Sequence, residues 1–60
     1  MNATEIQQQA RKLYDALGSK ALVEAARKAQ QLEEAGDREQ AADWRRIGSM
    51  LEAMRGPRAS

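Results

Sequence analysis

The chain has no cysteine and no histidine. Without cysteine there is no disulfide framework, zinc–thiolate site, iron–sulfur cluster or thiol nucleophile, so the chain folds by packing alone. Without histidine it lacks the commonest general base near neutral pH and the commonest metal ligand. Phenylalanine is also absent, Tyr14 and Trp44 are the only aromatics, and Pro57 is the only proline. Large aliphatic side chains are scarce: Leu, Ile and Val number eight against twelve alanines in 60 residues. No apolar run approaches the roughly 20 residues of a membrane span. Met1-Asn2-Ala3-Thr4-Glu5 has no basic segment leading into an apolar one, so no signal peptide is expected. The lack of cysteine fits a reducing compartment, and a cytoplasmic protein is expected. Ten Lys+Arg against nine Asp+Glu give a net charge of +1, which is no basic excess of the kind that drives nucleic-acid binding by charge alone.

What is present is helical. Alanine is the best helix former, no segment alternates with period two, and only Thr4, Ile6, Val23 and Ile47 are β-branched. The sequence predicts an all-α chain, a small three-helix bundle with helices over about 5–17, 20–35 and 38–55 and short glycine-containing turns. Thr4 with Gln7 fits a capping box for the first helix, and Gly18 suits its C-terminal stop. Ser19 is the expected N-cap of the second, which Gly36 ends. Asp37 with Gln40 caps the third, and Gly56-Pro57 stops it. The predicted core stripes are Ile6, Ala10, Leu13 and Leu17; Leu22, Ala25, Ala26, Ala29 and Leu32; and Ala41, Trp44, Ile47, Leu51 and Met54. Residues 1–56 form one helical domain and 57–60 a flexible tail. This large apolar set is thin for three helices, and a domain so small and unstapled gains from tight helix packing or from a partner.

Three dibasic pairs, Arg11-Lys12, Arg27-Lys28 and Arg45-Arg46, are the candidate nucleic-acid contacts. Each straddles the side of its helix away from the apolar stripe, so in a bundle the three point in different directions and read first as solvated faces. The second and third helices present Lys20, Ala21, Glu24 and Ala25, or Arg38, Glu39, Gln40 and Ala42, in their first turns, poor sets for reading base edges. The acidic group Glu33, Glu34, Asp37 and Glu39 matches no calcium-loop spacing and reads as capping and solubility. Ser19, Ser49 and Ser60 have no activating base, so catalysis is not expected, nor is a cofactor, a metal or a small-molecule substrate.

Four residues are candidates for contact with a partner. Val23 and Met50 lie off their own stripes and could form a second apolar surface. Trp44 is either an interface anchor or the central core residue, and its place on the stripe favours the core. Gly48 sits inside the third helix, where glycine costs about 1 kcal/mol relative to alanine. That points to a close approach by a neighbouring helix or by a second chain.

The stretch from Leu32 to Trp44, LEEAGDREQAADW, resembles the middle of a tetratricopeptide repeat, with Gly36-Asp37 at the inter-helix turn, Ala41 four residues on and Trp44 three beyond that. The resemblance covers about 20 residues of a 34-residue unit. It occurs once, without the small pair expected in the repeat's first helix or the proline at the fixed period. It implies a helical hairpin and a helix–helix contact role.

The expected function is therefore that of a small, non-catalytic helical protein–protein interaction module, such as an adaptor, inhibitor or regulatory subunit, whose partner is another protein or a second copy. The alternative is a small nucleic-acid-binding regulator acting as a dimer through the dibasic pairs. No membrane partner is expected.

Overall fold

The computed structural model describes residues 1–54. It is a small all-α three-helix bundle: α1 spans Ala3–Leu17, α2 Lys20–Glu34 and α3 Arg38–Met54, with no strand among the described residues. The expected helix end at Arg55, the Gly56-Pro57 stop and the tail at 57–60 lie outside the described residues. Side-chain pairs give the helix directions. Gly48 faces Ala25 and Trp44 lies under Lys28, so α2 and α3 are antiparallel. Met1 reaches Asp43, while Ile6 shares a notch with Met50, so α1 and α3 run parallel.

The first helix starts earlier than its Thr4-Gln7 pattern suggested. Asn2 is the N-cap: the Glu5 N–H donates to Asn2 Oδ1 at 2.8 Å, and the Asn2 N–H donates to the Glu5 carboxylate at 3.1 Å. Two capping boxes overlap in the sequence, and the one with an ionised carboxylate at its third position gains from the helix dipole, which neutral Gln7 cannot. Ser19 was the wrong cap for α2. It has helical dihedrals and makes no side-chain cap bond. Gly18 reverses the chain instead, at φ 60° and ψ −131°, and its carbonyl accepts from the Ala21 N–H at 3.0 Å. The positive φ is as expected, but ψ lies outside the left-handed helical well.

The second turn follows the sequence closely. Gly36 takes φ 87°, its N–H donates to the Glu33 carbonyl, and the Asp37 N–H donates to the Leu32 carbonyl at 2.8 Å. This is the paired-bond glycine stop that satisfies the last carbonyls of a helix. Asp37 then opens α3: Oδ1 accepts from the Gln40 N–H at 3.1 Å and Oδ2 from the Gln40 side-chain amide at 3.0 Å. Gln40 thus reaches the carboxylate rather than the Asp37 N–H, because that N–H is already committed to α2. One residue closes one helix and starts the next.

The core is built mostly from alanine. Ile6, Ala10, Ala21, Ala25, Ile47 and Leu51 form the buried cluster, with Leu13, Leu22, Trp44, Met50 and Met54 packed around it half-buried. All of the fully buried side chains of α2 are alanines: 21, 25 and 29. Spaced four apart, they make a flat strip that lets α3 come close, and the leucines at 22 and 32 become walls beside the strip rather than its middle. This rotates α2 from the expected stripe and leaves Ala26 exposed. Leu17 is exposed too, because it ends α1 beyond the buried layer. No described helix is long and apolar enough to cross a membrane.

Candidate functional site

The helix α3 lies between two seams, one against α2 and one against α1, and the sequence-predicted contact residues divide between them. Trp44 and Gly48 share the α2–α3 seam. They line an open groove of about 440 Å³ together with Leu22, Ala26 and Ala29. Across its rim Arg45 reaches from α3 to Glu33 on α2 at 2.6 Å. Both side chains are largely solvated, so the pair holds the groove's edge in place more than it stabilises the fold. On the other side the Lys28 ammonium sits 5.9 Å from the centroid of the Trp44 ring, at the outer limit of a cation–π contact.

Trp44 is thus not the central core residue that its stripe position favoured. That place belongs to Ile47 and Leu51, the largest fully buried side chains among the described residues. The indole is half-buried at the groove's edge, because the alanine strip of α2 is too shallow to enclose so large a ring. Gly48 carries the sharper finding. A Cβ built at this position meets only the Ala25 Cβ, at 4.0 Å, which is ordinary van der Waals contact. No neighbouring helix of the bundle comes close enough to require glycine.

The other two candidates lie elsewhere. Met50 belongs to the α1–α3 seam, where it packs against the core and lines a notch with Ala3, Ile6, Arg46 and Ser49. It lies off the single stripe because α3 buries toward both neighbours, and one narrow stripe does not cover both seams. Val23 is 62% exposed on the outer side of α2, apart from both seams. The four residues therefore do not make one surface. The groove walls missing from the sequence-based set are Leu22 and Ala26. Both were assigned to the core, and the only available signal was a small residue one turn from a leucine, opposite a glycine.

The six dibasic residues are not collected either. Arg45 is paired with Glu33 of α2, Arg27 with Glu24 at 3.9 Å, and Arg46 with Asp43 at 4.0 Å. Lys28 lies toward Trp44 rather than away from the apolar stripe. Arg11, Lys12 and Lys28 make no ion pair among the described residues. No polar or charged side chain is buried among those residues, and no group of three or more acidic residues converges in a way that could hold a metal ion.

Comparison with protein families, curated proteins and solved structures gives no match. The stretch that resembles a tetratricopeptide repeat does form a helical hairpin, turned by Gly36 and capped by Asp37, with Ala41 buried and Trp44 half-buried. The likeness therefore rests on hairpin geometry.

Proposed function

We propose that this chain is a non-catalytic helical interaction module of the cytoplasm that binds a protein partner through the groove between α2 and α3. The observation that carries this reading is Gly48. A glycine inside a helix lowers stability by about 1 kcal/mol relative to alanine, and the bundle has room for the methyl group it omits. The missing side chain keeps the floor of a groove open beside a half-buried tryptophan, the residue type most enriched where binding energy concentrates. A partner's apolar side chain entering between Leu22, Ala26 and Trp44 would meet backbone at Gly48.

Affinity capture from the native cell tests this, with the wild-type chain and Gly48→Leu run in parallel and each divided into nuclease-treated and untreated halves. A protein retained in stoichiometric amount by wild type in both halves, and lost with a Gly48→Leu chain that keeps its helical circular dichroism, is the expected result. Retention of nucleic acid alone, weakening steeply between low and physiological salt, would sink the proposal in favour of phosphate contacts through Arg11 and Lys12.

A further inference from the structure

The opposite seam of α3 has a different character, and it depends on nothing in the Trp44 groove. Between the parallel helices α1 and α3, a hollow of about 350 Å³ is walled by Ala3, Ile6 and Met50, with Arg46 and Ser49 at its lip. Further down the same seam, Arg11, Lys12 and Met54 border a second hollow together with Gln7 and Gln8. Met50 and Met54 stand four residues apart on α3, about 6 Å along the axis, so the seam offers apolar contacts at the pitch of one helical turn. Both are unbranched thioethers able to adjust to the shape of an occupant.

The rim is cationic. Arg11 and Lys12 make no ion pair among the described residues, and Asp15, one turn further on, is within 4.0 Å of neither. Arg46 touches Asp43 only at 4.0 Å. The acid at the head of the seam, Asp43, is already engaged by the Met1 ammonium at 3.1 Å. An apolar floor at helical pitch, flanked by exposed cations of which Arg11 and Lys12 have no ion pair among the described residues, is complementary to one kind of ligand. We infer that the α1–α3 seam docks an acidic amphipathic helix of a partner protein, apolar side chains into the Met50 and Met54 hollows and carboxylates toward Arg46, Arg11 and Lys12. A phosphate backbone would use the rim but leave the methionine floor unfilled.

Two labelled synthetic peptides of about 18 residues, long enough for roughly five turns, test this. Both carry leucines at i, i+3, i+4 and i+7, one with glutamates on the flanks and the other with glutamines. By fluorescence anisotropy in low salt, the glutamate peptide is expected to bind about tenfold or more tightly than its counterpart, and the advantage should shrink as salt screens the rim. The triple variant Arg11→Gln/Lys12→Gln/Arg46→Gln should lose that advantage without a change in melting temperature, and Gly48→Leu should keep it. Equal binding of the two peptides overturns the proposal, as does undiminished binding by the triple variant. Loss of binding in Gly48→Leu would move the site to the other seam. Arginine-dependent binding of phosphatidylserine vesicles without binding of the acidic peptide would assign the rim to a lipid surface.

Discussion

Ile47→Ala is expected to remove about 2–5 kcal/mol of stability, the range for deleting a buried aliphatic side chain. The position is at the severe end of that range for a structural reason. Ile47 has no exposed surface, and among the described residues only Leu51 matches it in size as a fully buried side chain. Most of the remaining core is alanine, which has no rotamers with which to fill a void. A chain of 60 residues has on the order of 3–9 kcal/mol in total, at about 0.05–0.15 kcal/mol per residue. The substitution therefore takes a large share of what holds the fold together. Thermal melting followed by circular dichroism should show a midpoint lowered by roughly 8–40 °C, or no cooperative transition at all. Ile47→Val calibrates the effect, at about 0.5–1.5 kcal/mol. A shift for Ile47→Ala no larger than for Ile47→Val would mean that this residue is not central to the core.

The second large effect is of opposite kind. Ala25 is completely buried in the strip where α2 meets α3. Ala25→Leu adds three carbons at a position with no exposed surface, in a core that is mostly alanine and so has few side chains able to move aside. Overpacking of this sort costs typically about 1–3 kcal/mol, and here it pushes α2 away from α3. Trp44 rests against the same seam, so its fluorescence emission should move to longer wavelength as the ring enters water. The adjacent Ala26 is exposed in the groove, and Ala26→Leu should leave the melting temperature nearly unchanged while filling the space proposed for the partner. Neighbouring alanines with opposite consequences, one for folding and one for binding, follow directly from the rotation of α2. Similar destabilisation by the two substitutions would refute that rotation.

Which alanine is buried was the hardest thing to read in the sequence. The helices themselves were legible because Gly18 and Gly36 punctuate them and the large apolar residues repeat at helical spacing. Asp37 as the cap of α3 was legible because an acid followed three residues later by glutamine has a local meaning. The strip on α2 was not, because Ala21, Ala25, Ala26 and Ala29 differ in neither size nor polarity. The leucines at 22 and 32 drew the stripe toward themselves, although a leucine can as well stand beside a close helix contact as within it. At the N-terminus Asn2-Glu5 and Thr4-Gln7 both fit the capping pattern, and only the charge of Glu5 separates them. Trp44 was misplaced for a related reason: its position on the wheel says which way the ring points but not whether the facing helix is deep enough to cover it. Gly48 stands out in the sequence because glycine is costly inside a helix. Whether the bundle itself needed the glycine was a tertiary question, and the free space around it answers that.

The most direct test of the account is the thermal midpoint of Gly48→Ala, which requires no partner. Since the added methyl group would meet only Ala25 at 4.0 Å, the helix should gain about 1 kcal/mol. The midpoint should rise by roughly 4–8 °C for a domain of this size. That result would mean the fold is less stable with its own glycine, as the proposed contact groove beside Trp44 requires. A lowered midpoint would contradict this account, because it would show that the bundle's own packing requires glycine at position 48.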